Sequence, residues 1–582
     1  MLGDVFTTRP ELVGTFGMVA STHWLASSAG MAVLEDGGNA FDAAVAAGFV
    51  LQVVEPHLNG PGGEVPAVFT TATNPSPQVL CGQGVAPAGA TVEHYRGLGL
   101  DLIPGSGLLA TTVPGAWDGW LTLLRDHGTK RLHDVLKYAI GYARDGFPLL
   151  ERVPAVVDTV RSLFAEHWPT SAALWFPAKG SRFANPVLAD TWERLLSEAK
   201  GTTREAEIDA ARKAWSQGFV AEAVDSFCRK EFRDDSGRDH AGVLTGQDMA
   251  DWTATYEPAT TADFGPWTLA KCGPWTQGPV LLQQLRLLEN ANLSYTDGIP
   301  TADTVHTALE ATKLAFADRE AWYGDAEVPV DLLLSREYAA DRARLITDTA
   351  SRALRPGGPD PRLPRYPSAP KDLSGAIGEP TVRPDGSTKG DTVHIDVVDR
   401  WGNMISATPS GGWLQSSPTI PDLGFCLGSR AQMFWLEEGL PNTLAPGKRP
   451  RITLTPSLAL HEGAPRIAFG TPGGDGQDQW QLCFWLARTV GGLNLQAAID
   501  APAWHSNAVP SSFYPRDFVP GEAHVESRLG RSTIAGLRAR GHEVIDVGPW
   551  TLGRLSAVSR ESNGLLRAAA NPRGMQGYAV GR

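Results

Sequence analysis

From Thr392 to Asp399 the chain alternates. Val393, Ile395 and Val397 are apolar, and Thr392, His394 and Asp396 between them are polar. That period of two predicts a half-buried strand over 392–399, opened by a threonine. Residues 400–403 read as a turn, and 404–408 as a returning strand. The stretch 450–474 predicts a second hairpin, turning at Glu462-Gly463, and a helix follows over about 478–490. The earlier part has a different rhythm. Residues 37–57 are Ala-rich with helix-compatible spacing and stop before Glu55-Pro56. The next residues, NGPGGEVPAVFTT, predict a Gly-rich turn and a short strand. Residues 113–149 and 205–230 have helical character. The clearest helix covers 301–325, with Asp303 as its cap and Val305, Leu309, Thr312, Leu314 and Phe316 along an apolar side.

Between the two rhythms lies a break. Residues 351–390 hold eight prolines and six glycines. Such a stretch cannot build a packed core and reads as an exposed linker. The expected organisation is therefore a largely helical first part, 1–391, ending in this linker, and a β-rich last part, 392–582.

Bulk properties narrow the function. The formal net charge is -13, with 51 Lys and Arg against 64 Asp and Glu. No long basic run offers a face for phosphates, so nucleic-acid binding is not expected. The five cysteines are scattered, without a C-x-x-C pair, and read as buried free thiols of a reducing compartment. No His/Cys cluster has zinc spacing, so no metal or other cofactor is expected. The start lacks the pattern of a secretory signal, and the apolar window 40–54 is too short to span a bilayer. The expectation is a cytoplasmic protein that acts without a membrane.

No serine lies in a G-x-S-x-G elbow. GTPGGDGQ (470–477) precedes a helix but lacks the Lys-Ser/Thr of a P-loop. It is either a tight turn or a nest of backbone N–H groups for an oxyanion. Thr392 has a chemical possibility of its own. A hydroxyl heading a strand after a cleavable linker suits an N-terminal nucleophile. Once the preceding bond is cut, the residue carries both the hydroxyl and an α-amino group of pKa about 7.7–8.0, which can take its proton.

Several stretches carry a family resemblance over nearly the whole chain. They are 17–63, with GGNAFDAAVA at its centre, then VPGAWDGW (113–120), KLAFADREAWYGD (313–325), Thr392 to Asp399 with Gly402-Asn403, PGKRP (446–450), GTPGG (470–474) and NLQAAIDAPAWH (494–505). Together these resemble the gamma-glutamyltranspeptidase family of self-processing N-terminal nucleophile hydrolases. The resemblance implies an α+β fold, the αββα sandwich of that group, with a largely helical N-terminal part. It implies cleavage between Asp391 and Thr392, with the two fragments staying associated, and a dimer of such pairs is compatible with it. Thr392 matches the nucleophile, Gly473 and Gly474 the oxyanion-hole glycines, and Ser410 a hydroxyl that orients the nucleophile.

The pocket departs from the family pattern. Aligned on Ala86-Pro87, Gln83 stands where the family has an arginine for the glutamyl carboxylate, and a neutral amide cannot replace a bidentate guanidinium. Arg430 fills the region of the acidic residue for the glutamyl amine. Ile452 and Thr453 replace paired serines, and Gly412 replaces an asparagine. The run 434–446 is too short for the family's lid loop. The expected substrate is a small acid amide or acyl amide other than glutathione, bound by Arg430, Gln83 and Thr453 and hydrolysed by water. A γ-glutamyl hydrolase or transferase with substitute residues is the alternative, and an unprocessed, inactive scaffold is a third reading.

Overall fold

A computed structural model describes residues 6–177, 182–367, 392–574 and 577–582. Fourteen strands form its two large sheets. In chain order they are β1 (Leu12–Gly14), β2 (Gly17–Ser21), β3 (Val65–Thr71), β4 (Asn74–Gly82), β5 (Thr255–Pro258), β6 (Thr260–Phe264) and β7 (Trp267–Lys271). After the linker come β8 (Ile395–Asp399), β9 (Met404–Ala407), β10 (Ser457–His461), β11 (Ala464–Gly470), β12 (Ser556–Arg560), β13 (Leu566–Ala570) and β14 (Tyr578–Gly581). One sheet runs β1-β13-β12-β11-β10-β7-β6 and the other β14-β2-β8-β9-β3-β4-β5, each seven-stranded. Every neighbouring pair is antiparallel.

Side-chain direction explains how they stack. Alternate residues of a strand face opposite ways. Ile395 and Val397 of β8 join a core with the Ala-rich helix Ala40–Val54, whose fifteen residues are all buried. Val398 of β8 and Met404 of β9 instead pack with Leu458, Ala468 and Val558 of the opposite sheet. The far face of that sheet, through Ala459, Ile467, Phe469 and Ala557, packs on the helices Pro279–Leu288, Ala302–Trp322 and Gln477–Thr489. The layers are therefore helix, sheet, sheet, helix, as the resemblance implies. This also corrects the half-buried strand: every residue of β8 is buried, because its polar face meets the second sheet and not water.

The predicted helices are present, at Ala40–Val54, Ala116–His127, Leu132–Asp145, Arg204–Gln217, Phe219–Cys228 and Ala302–Trp322. Asn39 caps the first of these with a capping box through Asp42. The helix Ala302–Trp322 is capped by Thr301, which accepts from Thr304 N, and Asp303 lies in the first turn instead. This helix has no polar side: Glu310, Lys313, Asp318, Arg319 and Glu320 are all buried. The β10–β11 turn falls at Glu462 (φ 51°) and Gly463 (φ 77°), the left-handed pair of a tight hairpin.

The described part of this stretch, 351–367, contains no helix or strand. It is nonetheless fastened: Trp322 Nε1 donates to Gly357 O at 2.8 Å and Gly357 N donates to Asp318 Oδ1 at 2.7 Å. The rest of the linker and Asp391 lie outside the described residues. All five cysteines are buried and free. Among the described residues no helix is long and apolar enough to cross a membrane.

Candidate active site

Thr392 lies three residues before β8, not at its first position. One feature breaks the ladder between them: Pro409 has no N–H to give, although its O still accepts from Val393 N at 3.1 Å. The register nevertheless holds. Ile395 pairs with Ala407, and in the same frame Thr392 pairs with Ser410 through an isolated bridge. Ser410 in turn pairs with Glu64, one strand further, in the frame that pairs Ala407 with Ala67. Carried one residue past Val65–Gly82, the β3–β4 register brings Gln83 beside Glu64. Thr392, Ser410, Glu64 and Gln83 thus form one transverse row at the end of a sheet.

Side chains join along this row. Thr392 Oγ1 is 3.2 Å from Ser410 Oγ. Arg430 Nη2 donates to Ser410 Oγ at 2.5 Å, and Arg430 Nε donates to Glu64 Oε1 at 2.5 Å. Burial pushes the Glu64 carboxyl above its ordinary value, offset only in part by Arg430. The Arg430 guanidinium lies 4.9 Å from the Trp413 ring centre and 6.0 Å from that of Phe513. Gln83 is fully buried, and its Nε2 donates to Gly84 O at 2.9 Å while its Oε1 meets no donor among the described residues.

The loop after β11 supplies the other half of the site. Gly473 has φ +125° and Gly474 φ +51°, and a Cβ on Gly473 would collide with the Trp480 ring. Among the described residues neither N–H donates to another group. Gln277 Nε2 donates to Gly474 O at 3.2 Å, and Gln277 N to Ile452 O at 2.9 Å. That residue ties the turn to the segment carrying Thr453, whose buried hydroxyl has no partner among the described residues. Behind the turn, Arg319 donates to Asp475, Glu320 and Gln277. Burial alone would raise the Asp475 carboxyl, but Arg319 and Ser512 hold it below its ordinary value.

The two halves meet through His394. Its Nε2 is 3.0 Å from Asp396 Oδ1 and its Nδ1 2.9 Å from Thr408 Oγ1. Asp396 Oδ2 accepts from Ser556 Oγ of the opposite sheet at 2.7 Å, and Ser406 Oγ donates to Phe469 O at 3.1 Å. These polar residues, which the alternation assigns to an outer face, are the fastening between the sheets beneath Thr392.

The structure therefore joins Thr392 to Ser410 and Ser410 to Arg430, sets Gln83 next in line, and leads Gly473, Gly474 and Thr453 to the same end of the sandwich. Glu64 escaped the sequence reading. Its signal was an acidic residue between GG and the apolar start of a strand, where burial demands a partner. Among the described residues one group could offer metal ligands: His306, Glu310 and His542, with ligand atoms within 4.8 Å. Apart from His542 Nδ1, its atoms are already engaged. His306 Nδ1 and His542 Nε2 share a 2.8 Å bond, and Glu310 accepts from Lys313 at 2.6 Å and Arg355 at 3.0 Å.

The chain matches the family model described as Gamma-glutamyltranspeptidase over residues 26–581. It is 31% identical to the glutathione hydrolase-like YwrD proenzyme of Bacillus subtilis, over 98% of this chain and 99% of that protein. It is 30% identical to the oxamate amidohydrolase proenzyme of Klebsiella pneumoniae, again over 98% of this chain and 99% of that one. A solved structure of LmbA2991HD is 59% identical, with a TM-score of 0.93, covering 99% of this chain and 100% of its own.

Proposed function

This chain belongs to the gamma-glutamyltranspeptidase family, and on that premise we propose that it is a self-processing amide-bond hydrolase with Thr392 as its nucleophile. The observation that carries the reading is the buried contact of Thr392 Oγ1 with Ser410 Oγ, at the end of the row described above. In the first reaction Thr392 Oγ attacks the carbonyl carbon of the preceding residue. The C–N bond breaks, an ester forms, and the nitrogen keeps the proton given up by the hydroxyl. Water then hydrolyses the ester and leaves Thr392 with a free α-amino group.

In turnover that amino group takes the hydroxyl proton as Oγ attacks the substrate amide. The N–H groups of Gly473 and Gly474 stabilise the oxyanion. The proton passes to the leaving amine, and water releases the acid from the ester. No metal or cofactor is needed for either sequence.

The substrate we propose is a small acid amide or acyl amide and not glutathione. Gln83 offers an amide in place of a carboxylate-binding guanidinium, and the oxamate amidohydrolase relative, similar over the whole chain, has such an activity in its name. The glutathione hydrolase-like relative favours the second reading, a γ-glutamyl hydrolase. Denaturing gels and intact mass of purified protein test the processing. Two fragments are expected, the smaller covering 392–582, and Thr392→Ala should stay a single chain. Ammonia release from oxamate, set against amine release from a γ-glutamyl anilide, tests the substrate. Rapid turnover of the anilide would favour the second reading, and an unprocessed wild-type chain would remove both.

A further inference from the structure

The guanidinium of Arg430 is placed to do more than grip a substrate. A clamp for a carboxylate uses two parallel N–H groups on two nitrogens of one guanidinium. Here Nε is committed to Glu64 and Nη2 to Ser410, both at 2.5 Å. Only Nη1 has no partner among the described residues. What remains for a ligand is Nη1 and the second hydrogen of Nη2, so the greater part of the anchoring of this guanidinium is internal.

The committed contacts have a direction. A guanidinium carries donors and no acceptor, so Ser410 Oγ must accept from Arg430. The serine proton is thereby turned away from Arg430, and the same oxygen stands 3.2 Å from Thr392 Oγ1. Glu64, Arg430, Ser410 and Thr392 make a line with its negative end on Glu64 and its positive charge two contacts from the nucleophile. Thr392, Ser410 and Arg430 are 0% exposed and Glu64 is 2% exposed. In such surroundings a fixed charge acts strongly on its neighbours.

The line is also built to stay in place. Glu64 N donates to Ser410 O at 2.8 Å and Ser410 N to Glu64 O at 3.0 Å, so the carboxylate and the hydroxyl share one backbone frame. Gly411, at φ +76°, makes room for the carboxylate, since a Cβ there would collide with it. Glu64 is what allows a buried arginine at all, because an unpaired charge there would be costly.

We infer that Arg430, held by Glu64, is a positioning residue that acts through Ser410 to poise the Thr392 hydroxyl for attack, in self-cleavage and in turnover alike. The inference deepens the proposed function and rests on Thr392 being the nucleophile. When the Thr392 proton leaves for its acceptor, negative charge grows on Oγ, and the Arg430–Ser410 pair stabilises it without moving. No bond of Arg430, Glu64 or Ser410 is broken.

Self-cleavage is the decisive readout, because it needs no added substrate. Purified Arg430→Gln is expected to process about 10²-fold more slowly than wild type. Its pH–rate profile should shift up by about one unit. Arg430→Lys should recover part of the rate, and guanidinium at millimolar concentration should speed Arg430→Ala. Near-ultraviolet circular dichroism of each variant establishes that it is folded, and Glu64→Gln tests the line from its other end. A misfolded variant would show none of the rescue. For turnover, oxamate is the probe, and the expected loss is in kcat. A folded Arg430→Gln that processes at the wild-type rate with an unshifted pH profile would overturn the inference. So would a variant that loses only KM for oxamate, which would make Arg430 a substrate clamp. A wild-type chain that never cleaves would remove the proposed function itself, a result distinct from either.

Discussion

His394 and Gly470 face each other across the two sheets with no room for a methyl group between them: a Cβ at 470 would lie 2.7 Å from His394 Nε2 and 2.9 Å from Nδ1. His394 is two residues beyond the proposed nucleophile, and Gly470 is three before the proposed oxyanion turn. Their contact sets the distance between the two halves of the site. Gly470→Ala must displace the imidazole from Asp396 or part the sheets. The expected cost is about 1–3 kcal/mol by denaturant unfolding, with a matching loss of self-cleavage. An unchanged unfolding midpoint with normal cleavage would show that the contact is not a constraint.

Gly473 serves the site through its backbone. At φ +125°, with Trp480 where a side chain would go, alanine cannot keep the same conformation. Gly473→Ala should lower amide turnover by about 10²–10³-fold, the usual effect of losing one oxyanion donor. Steady-state kinetics on the processed enzyme reads this, and normal turnover would count against the N–H groups of that turn.

His23 makes stability depend on acid. Its Nδ1 accepts from Leu25 N at 3.1 Å and caps the helix Trp24–Glu35, a role that a protonated imidazole cannot fill. Burial lowers its pKa to about 3. Because the folded value lies below the unfolded one, the stabilisation is whole above pH 6.5 and falls as pH drops toward 3. The slope for this one group is about 1.4 kcal/mol per pH unit. His23→Asn keeps a capping oxygen without the titration. The difference between its melting temperatures at pH 7 and pH 5 should be smaller than that of wild type.

Arg319 holds four acceptors at once behind the turn, Asp475, Glu320, Gln277 and Pro510 O, and it is fully buried. Removing it leaves Glu320 and Asp475 as buried charges, although Arg451 still donates to Glu320 at 2.7 Å. Arg319→Leu should destabilise the protein by about 3–5 kcal/mol, measured by chemical denaturation. A loss under about 1 kcal/mol would mean that the network relaxes around the gap.

Much of this was legible in the chain, and the reasons are local. The turn at Glu462-Gly463 and the Ala-rich helix follow from residues close in sequence. The alternation of β8 gave its face pattern but not the occupant of its polar face, since Ser556 and Phe469 arrive from more than sixty residues away. The helix Ala302–Trp322 shows the same limit. Its apolar side is visible in the sequence, but the partners of its charges, Arg451, Asp475 and Arg355, come from elsewhere. Thr392 stood out by its place after the linker, and Ser410 and the two glycines were proposed by resemblance. Glu64 was missed because only the sheet register sets it against Ser410.

The strand order of the two sheets has a consequence for the protein's life after a cut before Thr392. In the sheet β14-β2-β8-β9-β3-β4-β5, strands from before the cut are threaded between strands from after it, and the other sheet mixes both sources as well. Neither piece owns a complete sheet. A nick there would leave the fabric intact while its threads stay interlaced, yet it would make unravelling a one-way event. Refolding would then require two molecules to find each other and weave fourteen strands together, so recovery would depend on concentration where the uncut chain's would not. The enzyme would be assembled once, as a single thread, and its endurance would be set by how slowly it comes undone.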